Sequence, residues 1–407
     1  MLPKSANVVI IGGGVLGTSA AFHLAEAGHQ DILLLDRGPI ASGTTPFAAG
    51  QTGYLNKDGF SEPFTTYCIE FFENFAARTG QSIDFQRCGS LRVALTEKYQ
   101  ADLEKRVQAR DNLSLDVEFI SPARAKELVP GFHPPESCRI ASIPHDGYVE
   151  PKSVAVAFAT AAKERGVKFH TRVEVISLCT SVDRVSGIQT NQGAIETRNV
   201  VLAAGAWTRQ ICQSIGVNVQ SVPVRHQAFV TAPISGVLPA QPIVRVTEPQ
   251  IYVRHEAGGL LVGGYGYRPL SFDMDDFPSG FEISALEADP IYYEQLRTAA
   301  TLFFPAIKDA IIVQERRGLP TISPDGQLII SEPNGVGGLI LATACGVGGI
   351  ARSPGVGRVV SDILSGQSPL VPLAQLDARR FDETYSSDIQ LRSRCEELYA
   401  RHYHELV

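Results

Sequence analysis

The chain has 407 residues, of which 44% are apolar and 19% charged, and a formal net charge of −7. That length buries one large core or two moderate ones, and the negative balance argues against nonspecific nucleic-acid binding. Seven dispersed cysteines without a CxxC pair, and nine histidines without HExxH-type spacing, argue against a disulfide framework and a metal site and for reduced thiols in a cytoplasmic protein.

Val8 to Ile11 is an apolar run leading into Gly12-Gly13-Gly14. An apolar periodic segment follows from Val15 to Ala27, and a second apolar run, Ile32 to Leu35, ends at Asp36. The pattern predicts strand, tight turn, helix, turn, strand. Gly12, Gly14 and Gly17, with Val15 and Leu16 inside the spacing, form GxGxxG, and Asp36 stands 19 positions after Gly17. Gly12 permits a sharp turn, Gly14 lets backbone N–H groups approach a pyrophosphate, and Gly17 lets helix and strand touch. The helix N-terminus adds unpaired N–H groups and positive potential. Asp36 is placed to accept hydrogen bonds from a ribose. Dinucleotide binding is the reading supported; the alternative is an ordinary βα turn with a surface acid. Only Lys4 is basic ahead of the run, so it is read as a strand rather than a signal segment. No other stretch is long and apolar enough to span a bilayer.

The segment from Arg37 to Gly50 is small, polar and glycine-containing, suited to holding phosphate and ribityl oxygens or to forming a surface loop. Glu62 to Thr79 reads as a helix, Leu91 to Leu95 as a strand and Ala101 to Asp111 as a charged surface helix. Ser121 is expected to cap a short helix opened by Pro122. Ser153 to Arg165 is a helix ending at Gly166. Strands are expected at Val167–Phe169, Val173–Leu178, Val185–Thr190 and Ala194–Thr197, the last two around an Asn191-Gln192-Gly193 turn. Asn199 to Trp207 is a buried strand running into a glycine turn. The pattern then becomes strand-rich, with Val222–Thr231, Ile251–Arg254 and Gly259–Gly264 the clearest pieces, before a helix from Ile291 to Phe304. Short strands at Leu328–Ile330 and Leu339–Leu341 precede a glycine loop at Cys345–Gly349, and Ser353-Pro354 is expected to start a helix ending at Gly366. Asp377 to His404 reads as a charged helical tail that caps the fold or meets a partner. The fold class expected is α/β, a Rossmann-like nucleotide-binding domain with an inserted β-rich (α+β) substrate domain. The division expected is 1–90, 145–220 and 310–376 for the first, 91–144 and 221–309 for the second and 377–407 for the tail.

Taken in order, these motifs resemble the flavin-dependent amine and D-amino acid oxidoreductase family, in its sarcosine oxidase and dimethylglycine dehydrogenase branch. They are the GxGxxG with Asp36; Ser42-Gly43-Thr44-Thr45 with Ala48-Ala49-Gly50; Thr171-Arg172-Val173-Glu174; Ala203-Ala204-Gly205-Ala206-Trp207; Thr321-x-Ser323-Pro324-Asp325-Gly326; and Ala342-Thr343 through Ser353-Pro354-Gly355-Val356-Gly357. The resemblance implies FAD. It would have Val173 hold the adenine through its backbone, Asp36 and Arg37 flank the ribose, and Ser42 to Thr45 reach the pyrophosphate and ribityl chain. The loop Cys345, Gly346, Val347, Gly348, Gly349 and Ile350 would run beside the flavin ring, where a helix N-terminus and Arg352 would stabilise negative charge on the reduced ring. The alternative for Arg352 is a surface arginine.

Three departures from the family pattern matter. Relatives that attach the flavin through a histidine or a cysteine have them where this chain has Phe47 and Gly318, so noncovalent FAD is implied; Cys345, read as a small packed residue, is the one group that would upset this. The Ser-Gly-His-Gly run of relatives is Gly346-Val347-Gly348-Gly349 here, and their carboxylate-binding lysine falls on Ala351. The lysine that promotes reaction with oxygen falls near Leu261, and no lysine occurs between Val173 and Ile307; a dehydrogenase passing electrons to a carrier protein is favoured over an oxidase using O2.

The reaction implied is hydride removal from the carbon beside an amine nitrogen onto flavin N5, then hydrolysis of the imine. A small secondary or tertiary amine of the N-methyl amino acid class is the expected substrate. Candidate substrate contacts are Tyr252, Arg254, His255, Tyr265 and Tyr267 on the β-rich domain, His226 and Arg225 after Pro223-Val224, and Tyr54 after the first loop. Tyr252 and Arg254 lie two apart and share a strand face, with Arg254 able to clamp a carboxylate; the alternative is a solvated or packed sheet face. Dimethylglycine dehydrogenases carry a second, folate-binding half, and none is expected in a sequence ending at Val407. Other readings are a D-amino acid or cyclic imino acid dehydrogenase, a noncatalytic FAD-binding subunit and, from the first motif alone, an NAD enzyme.

Overall fold

The computed structural model describes residues 2–53, 55, 62–109, 116–381, 385 and 387–404. Two large sheets dominate. The first has six strands in the order Ile329–Ser331, Leu339–Thr343, Val200–Leu202, Val8–Ile11, Ile32–Asp36, Lys168–Thr171. All neighbours are parallel except Ile329–Ser331, which runs antiparallel to Leu339–Thr343. The continuous apolar runs follow from burial on both faces. Val8, Ile10, Ile32 and Leu34 pack under the helices Val15–Glu26, Pro151–Glu164 and Gly349–Leu364. Val9, Ile11, Leu33 and Leu35 pack against the three-stranded sheet of Val175–Ser181, Arg184–Thr190 and Gly193–Glu196.

The second sheet has eight strands: Ile312–Gly318, His226–Thr231, Gly259–Gly264, Ile251–Glu256, Ile243–Val246, Ser90–Ala94, Arg139–Ile143 and Glu118–Ile120. Only Ile243–Val246 against Ser90–Ala94 is parallel. One face packs on the helix Pro290–Thr301, whose N-cap Asp289 accepts from the N–H groups of Ile291 and Tyr292. The other face, carrying Tyr252 and Leu261, packs on Leu391, Cys395, Leu398 and Tyr399 of the helix Asp388–Ala400. Ile312–Gly318, placed with the nucleotide-binding part in the sequence division, forms the edge of this sheet beside His226–Thr231.

Several boundaries move for identifiable reasons. The helical region after Glu62 breaks at Asn74 into Glu62–Glu73 and Phe75–Thr79. The charged helix is Glu97–Gln108, and position 111 lies outside the described residues. The helix expected from Ser153 begins at Pro151, because Glu150 caps it, accepting from the N–H groups of Lys152 and Ser153. Val222–Thr231 is two strands, Val222–Pro223 and His226–Thr231.

The largest correction concerns Ser353-Pro354, which does not start a helix. The helix runs from Gly349 to Leu364 with Gly348 as its N-cap, and Pro354 lies inside it. Pro354 cannot donate to the Ile350 carbonyl four residues back. The Ser353 hydroxyl donates to that carbonyl instead, at 2.9 Å. The N-cap is thus Gly348, five residues before Ser353, and the helix N-terminus sits in the glycine loop itself. All seven cysteines are free, and among the described residues no helix is long and apolar enough to cross a membrane.

Candidate active site

A cavity of about 350 Å³ lies between the carboxyl ends of the first sheet's strands and the tyrosine-bearing face of the second. Its nucleotide end is built on close backbone approach. Gly12 has φ of +110°, and a Cβ there would lie 2.3 Å from the Ala203 carbonyl oxygen; a Cβ on Gly17 would lie 1.9 Å from the Gly12 oxygen. Only glycine lets the turn, the helix and the third strand meet in this way. Asp36 braces the turn: its carboxylate accepts from Gly13 N–H at 2.6 Å and from Gly38 N–H at 2.7 Å. Burial raises its pKa, opposed by those two hydrogen bonds and by Arg37.

Arg37 lies over Trp207, its guanidinium carbon 3.7 Å from the ring centroid, and donates to the Phe281 carbonyl. Both line the cavity, as do Val173 and Glu174. Val173 N–H donates to Asp36 O at 2.9 Å. In the first loop, Thr44 Oγ1 accepts from Leu319 N–H and Thr45 Oγ1 from Val15 N–H, both at 3.1 Å. The carbonyl of Ala49 accepts from Arg254 Nε at 2.8 Å and that of Ala48 from Arg316 Nη1 at 3.4 Å. Glu256 ties the two arginines together at 2.5 and 2.7 Å.

At the middle of the cavity, Gly346 N–H donates to Thr321 O at 2.9 Å and Gly348 N–H to Cys345 O at 3.2 Å. Arg352 lies beneath this loop, buried, donating to Cys345 O at 3.0 Å, and burial pushes its pKa down to about 10. Cys345 lines the cavity, with burial pushing its thiol up to about 11. The far end is aromatic. His226 Nε2 is 2.7 Å from the Tyr252 hydroxyl and Nδ1 is 2.8 Å from the Tyr399 hydroxyl, and its ring stacks on Tyr265 at 5.3 Å. Burial lowers His226 to about 4, so it is neutral at physiological pH.

Every cofactor residue expected from sequence lines this cavity except Gly17, Gly50 and Gly348, which shape its walls. Of the substrate candidates, Tyr252, Tyr265 and His226 line it, whereas Arg254, His255 and Arg352 do not. Arg254 is 2% exposed, paired with Glu256 and stacked over Tyr148. His255 accepts from Gly258 N–H at 3.0 Å and meets the Tyr148 hydroxyl at 3.1 Å. Arg225 pairs with Asp289 at 2.7 Å, and Tyr267 donates to Pro249 O. Tyr54 lies outside the described residues. Sequence reasoning missed Tyr399, Glu256 and Arg316. For Tyr399 a signal existed: Leu391, Cys395, Leu398 and Tyr399 recur at helical spacing and form the buried stripe of an otherwise charged helix.

The residues present fit a dinucleotide: bare backbone at Gly12, an acid ending the second strand, and two helix N-termini, at Val15 and Gly349, at the cavity. The sequence model of a family described as "FAD dependent oxidoreductase" (DAO) matches residues 7–363. The chain is 30% identical over 410 residues to 4-methylaminobutanoate oxidase (formaldehyde-forming) of Paenarthrobacter nicotinovorans, covering 100% of this chain and 50% of that protein. It is 33% identical over 386 residues to mitochondrial dimethylglycine dehydrogenase of Rattus norvegicus, covering 92% and 45%. It thus spans about half the length of these relatives. Glycine oxidase from Geobacillus kaustophilus superposes with a TM-score of 0.79 at 24% identity, covering 93% of this chain and 99% of that one.

Proposed function

The chain belongs to the FAD dependent oxidoreductase (DAO) family, and from that premise we propose that it oxidises the C–N bond of a small N-methyl amine of the amino-acid class. The observation that carries the reading is the two-ended cavity, a dinucleotide cradle at one end and an uncharged wall of His226, Tyr252 and Tyr265 at the other. Bound FAD would supply the two-electron acceptor, taking a hydride from the carbon beside nitrogen at N5. Gly349 and Ile350, in the first turn of the helix, line the cavity, and the positive potential of that helix end favours the negative charge that a flavin gains on reduction. The neutral aromatic wall favours an amine in its uncharged form, the form that yields hydride. The imine product is hydrolysed by water, releasing formaldehyde from an N-methyl substrate.

FAD is held without a covalent bond in this reading. Phe47 and Gly318 offer no nucleophile, a side chain on Gly318 would approach Thr44 Cγ2 to 2.9 Å, and Cys345 is kept protonated. Leu261, near which the oxygen-promoting lysine of relatives falls, is fully buried in the core, and no lysine occurs between Val173 and Ile307, which supports electron transfer to a carrier protein over rapid reaction with O2. Free thiols support a reducing, cytoplasmic setting. The test is anaerobic exposure of the flavin-loaded protein to N-methyl amino acids, D-amino acids and cyclic imino acids. Bleaching of the flavin by the first class and release of formaldehyde support the reading; bleaching by D-alanine or D-proline alone contradicts it.

A further inference from the structure

Gly263 is a glycine that its own backbone does not require. It lies inside the strand Gly259–Gly264, outside the left-handed region, paired with Tyr252 on one side and Ala228 on the other. Glycine weakens a strand interior and packs against nothing, so its presence there points to a neighbour that needs the space. The neighbour is Tyr252. A Cβ on Gly263 would lie 2.1 Å from the Tyr252 hydroxyl oxygen, 2.2 Å from Cζ and 2.8 Å from Cε2. The phenol thus lies across the adjacent strand. That posture brings its hydroxyl to His226 Nε2, 2.7 Å away on the strand beyond. Any side chain at position 263 must push the ring aside by more than about 1 Å to reach ordinary contact. Tyr252 is 1% exposed; it belongs to a buried cluster with Leu261, Leu398 and Tyr399, and it borders the cavity. Close-packed side chains resist such a shift, whereas the cavity has room for it.

We propose that Gly263, acting through Tyr252, sets the depth of the cavity at its aromatic end and so fixes the size of amine that the site admits. This rests on the reading that the cavity takes an amine. Gly263 does not line the cavity; it is a positioning residue, and Tyr252 is the surface it positions. A side chain at 263 drives the ring forward and shortens the space in front of it. Longer amines then lose binding before shorter ones, because a pocket of fixed shape discriminates by size. The device is shared between two strands, so its halves compensate. A smaller side chain at 252 returns the space that a larger one at 263 removes, and residues that exchange space in this way have coupled effects.

The experiment uses the flavin-loaded full chain as Gly263→Ala, as Tyr252→Leu and as the double variant. A crystal structure of Gly263→Ala is expected to show the Tyr252 ring moved into the cavity, with its hydroxyl out of hydrogen-bond reach of His226. A ring left in place while the strand yields would overturn the proposal. In a second arm, kcat and KM are measured for a series of N-methyl amines of increasing length. The ratio of KM for the longest amine to KM for the shortest is expected to rise about tenfold in Gly263→Ala and to fall back in the double variant. An unchanged ratio in Gly263→Ala, or one that the double variant does not restore, would overturn the proposal. Should Gly263→Ala fail to fold, a double variant that folds and binds flavin supports the pairing, and one that also fails overturns it. A flavin that no amine bleaches in the unaltered protein would overturn the parent reading instead, and the crystal structure would still decide where the ring goes.

Discussion

Glu256 shows how a residue without a place in any motif comes to matter. It joins Arg254 and Arg316, both almost fully buried, and these hold the carbonyls of Ala48 and Ala49. Removing it leaves two buried cations with less counter-charge. Glu256→Ala is therefore expected to cost about 2 kcal/mol, after discounting for the quarter of the Glu256 side chain that remains exposed; urea unfolding measures it. Burial alone would raise the Glu256 pKa, but Arg254 and Arg316 outweigh it and hold it below its usual 4.5. A depressed carboxylate contributes stability above its unfolded pKa and loses it as pH falls through the folded one. The gap between the unaltered protein and Glu256→Gln should thus narrow below about pH 4.5; a gap that widens in acid would contradict the clamp.

His226 runs the other way. Its pKa falls from 6.5 to about 4, so the unfolded chain takes up a proton first and stability drops as pH goes from 6.5 toward 4. The ring should stay neutral in a histidine titration down to about pH 5, and His226→Gln should flatten this part of the stability profile. The attachment residues are simpler. With Phe47 and Gly318 inert, acid precipitation is expected to leave the yellow colour in solution; colour in the pellet would point to Cys345.

At the scale of elements, the strands and the glycine turn were legible because apolar runs and GxGxxG report burial on both faces and close backbone approach. Pro354 misled for a physical reason. Proline after serine is the sequence mark of a helix start, and nothing local shows that the Ser353 hydroxyl replaces the missing N–H. Ser353→Ala should strip the Ile350 carbonyl of that donor and cost about 1–2 kcal/mol, read from thermal or urea unfolding; an unchanged midpoint would mean the hydroxyl does not serve the helix. The roles of Arg254 and Arg316 were not legible either. A two-residue period shows that Tyr252 and Arg254 share a strand face, but whether that face meets the cavity or the first loop depends on how the two sheets stack. The C-terminal helix was read as charged, although its apolar stripe already marked a buried face.

At the scale of the molecule, the two sheets meet along one cavity, and chemistry is divided between them. The first supplies backbone N–H groups, glycines and Asp36; the second supplies aromatic rings and hydroxyls. The family was legible because the order of several weak motifs is constrained together, while the aromatic wall is assembled from His226, Tyr252 and Tyr265 and backed by Tyr399, residues far apart in sequence. The measurement that bears most directly on this account is an anaerobic titration of the purified, flavin-loaded protein with an N-methyl amino acid, followed in the visible flavin band. The account predicts stoichiometric bleaching with release of formaldehyde. A colourless preparation that refuses added FAD, or a flavin left oxidised by every amine offered, would contradict it.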